Sequence, residues 1–473
     1  IIRDGINHTN TRKAGRMTAR RTVLFVTTLS SFLTPFMGSA INIALPEMGK
    51  ELNMNTLALG WVSTSYLLAA AVFLLPFGRL SDKYGRKQFY MLGIIFFILS
   101  AFVSAIARTE TVLLISRFVN GAGGAMVYAT AIAILTSAYP KSDRGRVLGI
   151  NVAAVYLGLS LGPTLGGYMT SILGWRSIFY LVSILSLITL PIVAIKIDND
   201  KKRGDPTPFD IWGSLFYGLG LASVIYGFPE ITSTRGVIFL ISGLALLWVF
   251  IRIEHKVADP LLQFNVFTGN QVFIFSNLAA FINYSATFAL VFLLSFYLQQ
   301  VKNLSPGEAG LILMAQPVVM TVFSPLAGKL SDRIEPAIVA SIGMGVTVVG
   351  LAAFAFLNAE TGIVLIVVVQ AFLGLGFALF SSPNTNAVMS SVEPQQYGIA
   401  SATLGTMRMT GQTMSMTISM MVIALVMGKS GATAENTEGL LLSIRYSFIV
   451  FALLCIAGTF FSMKRGKLHN EAA

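Results

Sequence analysis

Fourteen apolar stretches dominate this chain, the first over about 22–45 and the last over about 440–462, each near the ~20 residues with which a helix crosses the hydrocarbon core of a bilayer. Backbone N–H and C=O groups find no water in lipid, so stretches of this kind are expected to be helical. Only 11% of the 473 residues are Asp, Glu, Lys or Arg, against roughly 25% in soluble domains. The thirteen connections are too short to hold a soluble catalytic domain. Cys455 lies inside an apolar stretch and His8, His255 and His469 lie outside them, which excludes a disulfide framework or a Cys/His metal set. The sequence predicts an all-α integral membrane protein with no catalytic residue, no metal and no cofactor. The first stretch outruns the about 7–15 residue core of a signal peptide and is expected to be a retained helix. Residues 1–16 are given no role.

Lys and Arg set the expected orientation. With the N-terminus inside, 24 fall on the inner side and 6 on the outer side (Lys50, Arg108, Arg176, Arg235, Lys302 and Lys429), while Arg117, Arg408 and Arg445 lie within stretches. Both termini are therefore expected in the cytoplasm, in a multi-pass protein of the cell membrane. The +12 net charge is a topology signal, because a nucleic-acid partner would need a soluble basic face.

An internal repeat organises the rest. Gly78-Arg-Leu-Ser-Asp82-Lys-Tyr-Gly85-Arg86-Lys87 returns as Gly328-Lys-Leu-Ser-Asp332-Arg333, 250 residues later. Gly121-Ala-Gly123 matches Gly374-Leu-Gly376, and Pro140 with Gly145 matches Pro394 with Gly398. Stretches one to six thus pair with nine to fourteen, and stretches seven and eight form an inserted hairpin. Parallel halves of this kind are transporter architecture, with the substrate held between them near the midplane. The expected divisions are an N-terminal tail (1–21), a six-helix bundle (22–195), a cytoplasmic linker with the inserted hairpin (196–253), a second six-helix bundle (271–463) and a C-terminal tail (464–473).

These residues carry a resemblance to the major facilitator superfamily, and within it to the fourteen-helix drug:proton antiporter branch that includes multidrug exporters. Gly78-x-x-x-Asp82-x-x-Gly85-Arg86-Lys87 resembles the signature loop between helices two and three. Asn42-Ile-Ala-Leu-Pro46, Trp61-Val-Ser-Thr-Ser-Tyr66, Phe209-Asp210-Ile-Trp-Gly213 and Asp259-Pro260-Leu261-Leu262 are similar to other marks of this branch. The resemblance implies the major facilitator fold of fourteen transmembrane helices and a latch at Gly78, Asp82, Gly85, Arg86, Lys87 and Asp332 that joins the bundles on the cytoplasmic side. It also implies a coupling site at Arg117, Asn120 and Gly121, and an antiporter motif at Gly158, Gly162, Pro163, Gly166 and Gly167. Read physically, the spaced glycines let another helix approach closely and Pro163 can bend its helix.

Charge inside a bilayer is costly and is directed to a cavity or a partner. Arg408 stands about ten residues into its stretch, roughly 15 Å at 1.5 Å per residue, and is the central cavity candidate. Tyr66, Tyr128, Tyr156, Asn277 and Asn283 are the polar and aromatic cavity candidates beside it. Met407, Met409, Met414, Met416, Met420 and Met421 crowd the same stretch, as an adaptable binding surface would. Every acid can be placed at a loop, tail or helix end, leaving Glu47, Asp82 and Glu308 at the membrane edges. A buried carboxylate is the natural proton carrier, so proton exchange and a cationic substrate lack their usual group. The expected function is export of small amphipathic, drug-like molecules by proton antiport and alternating access, by a monomer whose partners are its substrate, protons and the bilayer. The alternative is export of a specific metabolite or organic anion with different coupling; from another class, a transport-inactive sensor or assembly protein. No Gly-x-x-x-x-Gly-Lys-Ser/Thr loop occurs, so a gradient must supply the force.

Overall fold

The computed structural model describes residues 2–197, 209–257, 260–262, 266–393, 396–428 and 436–466, without the side chains of residues 2–19, 141, 142, 144 and 145. Most of the expected linker (198–208), Asp259, Pro394 and the tail beyond 466 lie outside the described residues. The first half contains α1 (Ile2–Leu52), α2 (Thr56–Tyr84), α3 (Arg86–Ala105), α4 (Glu110–Ala138), α5 (Lys141–Leu173) and α6 (Arg176–Lys196). The inserted hairpin is α7 (Ile211–Gly227) and α8 (Thr234–Glu254). The second half contains α9 (Gln271–Thr287), α10 (Leu290–Phe296), α11 (Pro306–Leu313), α12 (Ala315–Ser331), α13 (Pro336–Phe354), α14 (Ile363–Ser390), α15 (Tyr397–Met427) and α16 (Thr437–Met463).

Among the described residues, thirteen helical spans are long and apolar enough to cross a membrane, and α7, with 17 residues, is a shorter apolar helix. Fourteen crossings return both chain ends to one face, the terminus face, and leave an opposite far face. The outer surface is apolar, with Ile172, Ile195, Phe356 and Val364 each 74–78% exposed, as lipid contact requires. Two stretches that read as continuous are broken. The ninth divides into α9, α10 and a π-helical turn (Tyr297–Val301), and the tenth into α11 and α12 at Met314. At the first break the Ala289 N–H is redirected to Ser415 Oγ at 3.0 Å. The π turn carries Gln299, whose Nε2 donates to the Ile43 carbonyl of the other half at 2.9 Å. Such local widening is common where a helix does something besides span.

The repeat reappears as packing. In the first half α1 packs on α5, α2 on α4, and α3 on α4 and α6; in the second α9 packs on α15, α12 on α14, and α13 on α14 and α16. The halves meet through the matching pairs α5 with α11 and α2 with α15, and the hairpin lies mainly against α2.

Arg465, counted from sequence as a tail charge, is only 1% exposed. Its guanidinium donates to the Ser462 carbonyl (2.8 Å), to Asn384 Oδ1 (3.0 Å) and to the Ser462 hydroxyl, with Ser276 Oγ at 3.5 Å. It therefore ties α9, α14 and the end of α16. Burial lowers its pKa to about 10, so it remains charged at neutral pH. Arg465→Ala is expected to cost about 2–3 kcal/mol, the scale of charged hydrogen bonds whose partners are left buried. The midpoint of thermal unfolding in detergent checks this, and Arg465→Lys should recover part of the loss.

Candidate functional site

Between the halves, contacts concentrate from the far face to mid-depth. On one side Pro163 and Gly167 of α5 meet α11 so closely that a Cβ at Gly167 would strike the Pro306 carbonyl, and one at Gly310 would strike the Pro163 carbonyl. Thr164 Oγ1 lies 3.1 Å from Met314 Sδ, and Ser160 and Thr321 hydroxyls are 3.2 Å apart. On the other side Gly60 abuts the Met420 side chain, with Thr64 Oγ1 3.5 Å from Met420 Sδ. These contacts join the two halves on the far-face side.

Gly158, Gly162 and Gly166 point the other way, into α1. A Cβ at Gly158 would strike the Phe32 carbonyl; at Gly162 and Gly166 it would stand 2.6 Å from Ser39 Cβ and 2.5 Å from Ala40 Cβ. One motif thus makes two seams, α5 to α1 within the bundle and α5 to α11 between bundles.

Below these contacts stands Arg408, half-buried on α15. Its guanidinium donates to the Tyr128 hydroxyl of α4 and lies 5.1 Å from the centre of that ring. It also reaches Tyr284 of α9 and is close to Tyr156 of α5, which itself reaches Ser324 of α12 and Ser381 of α14. The Arg408 Nε is buried without an acceptor. A cation ringed by three phenols from both halves, with a donor to spare, can take the π face or the acceptors of a planar solute. Of the cavity candidates, Tyr128, Tyr156 and Arg408 lie together. Tyr284 escaped the sequence reading, since an aromatic beside Asn283 has no distinguishing neighbour pattern. Asn277 and Asn283 are buried in α9: Asn277 Nδ2 donates to the Phe273 carbonyl at 2.9 Å, and both Asn283 amide atoms lie buried without partners.

Tyr66 belongs to another cluster. Its ring lies under Arg117, 4.6 Å from the guanidinium carbon, and Arg117, 1% exposed, donates to the Val62 carbonyl (3.2 Å) and to Asn120 Oδ1 (2.9 Å). Asn120 Nδ2 in turn donates to the Phe97 carbonyl and Ser100 Oγ. Gly121 completes the seam, because a Cβ there would strike the Tyr66 carbonyl. Arg117, Asn120, Gly121 and Tyr66 together lock α2 to α4. At the repeat-related position Gln370 is fully buried with both amide atoms unpartnered.

In the signature loop, Gly85 at φ +116° separates α2 from α3 in a conformation that favours glycine. Gly78 has open space around its Cα. Arg86 grips Asp82 Oδ1 with Nε and Nη2, both at 2.8 Å, and Lys87 donates to the Ala194 carbonyl of α6 at 2.9 Å. Asp332 accepts from Asn386 at 3.4 Å. Each aspartate is thus engaged within its own half.

The Major Facilitator Superfamily model matches residues 27–274 and 276–471. The chain belongs to the Major Facilitator Superfamily. It is 28% identical to the riboflavin transporter RibZ of Clostridioides difficile, over 94% of this chain and 97% of that protein. It is 27% identical to the multidrug resistance protein Stp of Mycobacterium tuberculosis, over 85% of this chain and 75% of that one. Among solved structures, a bacterial homologue of the human lysosomal transporter Spinster, inward-facing and occupied, superposes with a TM-score of 0.69 at 16% identity, covering 94% and 96% of the two chains. This superfamily member is a multi-pass membrane transporter rather than an enzyme, and it takes a small-molecule substrate.

Proposed function

We propose that this transporter exports small amphipathic, drug-like molecules across the cytoplasmic membrane in exchange for protons, as a monomer working by alternating access. The observation that carries the reading is the ring of Tyr128, Tyr156 and Tyr284 around Arg408 at mid-depth, shared by both halves beneath the contacts that join them on the far-face side. Similarity to a multidrug resistance protein supports a drug-like substrate. The reading takes the chain as tail, six-helix bundle, linker with inserted hairpin, second six-helix bundle and tail, with tails, linker and signature loop on the cytoplasmic side. The far face is then the outside and the state is inward-facing. Asp82, held by Arg86 here, serves the outward-facing state by bridging to the other bundle. Arg117, Asn120 and Gly121 take part in coupling by carrying the movement of α2 to α4.

A second reading follows from the charge of Arg408 and the similarity to a riboflavin transporter: export of a planar metabolite or organic anion with different coupling. Accumulation of cationic dyes, riboflavin and anionic dyes, in cells stripped of their own pumps and with or without an uncoupler, separates the two. Lower accumulation of dyes that an uncoupler abolishes supports the first reading; riboflavin or anions alone support the second; unchanged accumulation of every compound rejects both. Labelling of Lys83→Cys in a Cys455→Ser background tests orientation, and ready reaction with an impermeant reagent outside intact cells would reverse it. Asp82→Asn is expected to cut turnover about tenfold or more at normal expression, the loss of an interaction worth at least about 1.4 kcal/mol in one state only. Initial rates in liposomes at matched protein check it.

A further inference from the structure

Two acids that look ordinary in sequence meet at the base of the inserted hairpin. Asp210 caps the start of α7, its Oδ1 accepting the Gly213 N–H at 2.8 Å. Glu254 ends α8, its Oε1 and Oε2 accepting the N–H groups of Leu261 (3.2 Å) and Leu262 (2.8 Å). The remaining oxygen, Asp210 Oδ2, is buried with no donor, and it converges with Glu254 Oε1 on the same space beside Gly213. Asp210 is 7% exposed and Glu254 2%. Gly213 makes the meeting possible, because a Cβ there would strike Asp210 Oδ2 and stand 2.9 Å from Glu254 Oε1. Phe209-Asp210-Ile-Trp-Gly213 is thereby explained as a space-making motif.

Ionised carboxylates only accept hydrogen bonds, and two of them in contact do not both stay ionised. One proton supplies the missing donor and removes the repulsion. Charged groups on the neighbouring elements make the following contacts. Arg79 of α2 donates to the Pro260 carbonyl at 2.6 Å, Lys83 lies 6.0 Å from the Tyr84 ring centre, and Asp82 is paired with Arg86. On α8, Arg252 lies over Trp248 at 4.7 Å, and His255 and Lys256 are exposed. Tyr217 of α7 donates to the Ala71 carbonyl at 3.1 Å, and α15 packs Met409 and Met414 against the apolar cluster that holds Tyr217, Phe250 and Leu261.

We propose that Asp210 and Glu254 form a one-proton site that sets the hold of the hairpin on the signature loop. The mechanical path is short. Glu254 fixes the amides of Leu261 and Leu262; the adjoining Pro260 carbonyl holds Arg79, the residue after Gly78. With the proton bound, the pair is closed and the path intact. Its loss as pH rises leaves two charges in contact, which drives Glu254 off the amides and releases Arg79.

The test uses the full-length protein in nanodiscs. Hydrogen exchange at Leu261 and Leu262, corrected for intrinsic pH dependence, should lose about tenfold or more of its protection between about pH 5 and pH 9, the range in which buried carboxyls titrate. An infrared pH titration should show one protonated-carboxyl band disappearing in parallel. In Asp210→Asn the amide oxygen still caps Gly213 and the amide nitrogen donates to Glu254, so protection should persist at every pH and the band should be absent. Glu254→Gln should also abolish the band. Protection and spectrum that do not change with pH in the unmodified protein would overturn the proposal, and that measurement requires no variant. A band that survives both substitutions would overturn it equally, and so would protection governed by added calcium rather than by pH.

Discussion

Replacing Gly167 with valine is expected to hold the far face open while the first bundle stays folded, whereas Gly162→Val, five residues earlier, is expected to damage the bundle itself. The difference lies in what each glycine touches. At Gly162 the added atoms meet Ser39 Cβ at 2.6 Å and the Phe36 carbonyl at 2.9 Å, both within the α1–α5 seam. Relief there means moving α1 inside a close-packed core, and overpacking of that kind costs about 1–3 kcal/mol. At Gly167 the obstacle is the Pro306 carbonyl of the other half, and separating the bundles at the far face relieves it without unfolding. The same cost of about 1–3 kcal/mol then appears as a shift of about 5- to 150-fold toward the far-side-open state. Thr64→Cys in a Cys455→Ser background reports it, since Thr64 is fully buried against Met420 on the opposite seam. Thiol labelling should quicken by that factor in Gly167→Val, while Gly162→Val shows a lowered unfolding temperature. Unchanged labelling in Gly167→Val would mean that this contact does not govern closure.

The same contrast marks what a sequence of this composition discloses. Crossings and repeat are legible because each depends on hydropathy and spacing, and Gly78–Lys87 returning at Gly328–Arg333 divides the chain into its two halves. Which face of a helix turns inward is much less so. In water an apolar stripe marks the buried face, but Ile172 against lipid and Phe179 in the core are equally apolar, so hydropathy does not separate them. Polar residues carry the missing direction only when their partners are known. Arg408, Tyr128 and Tyr156 read as cavity candidates with no sign of which of them meet, and Tyr66 reads as one more although it lies under Arg117. Asp210 and Glu254 each pass for a helix-end residue. Their pairing depends on the turn that brings the base of α7 to the base of α8. Arg465 passes for a tail charge because its burial depends on Asn384 and Ser276, far away in sequence.

Arg408→Gln is expected to weaken substrate binding about ten- to hundredfold, and Arg117→Gln to leave binding intact while slowing exchange. Both arginines lose a charge, so the separation rests on surroundings. Arg408 stands between the halves with Tyr128, Tyr156 and Tyr284 about it and its Nε unsatisfied. A bound solute there gains a charge-assisted hydrogen bond of about 1.5–3 kcal/mol, or a cation–π contact of about 0.5–2 kcal/mol, and glutamine supplies neither in full. Arg408→Lys retains the charge without the planar fork, so it should restore part of the affinity for anions and little of that for planar neutral compounds. Arg117 is enclosed by the Val62 carbonyl, Asn120 and the Tyr66 ring. Its loss loosens α2 against α4 without touching a ligand, and shows as a lower maximal rate at unchanged Kd together with a modest fall in unfolding temperature. Binding by isothermal titration and flux in liposomes under an imposed pH gradient, measured separately, distinguish the two. Normal binding of every tested compound by Arg408→Gln would remove it from the substrate site, and altered selectivity in Arg117→Gln would place that residue in contact with the pathway after all.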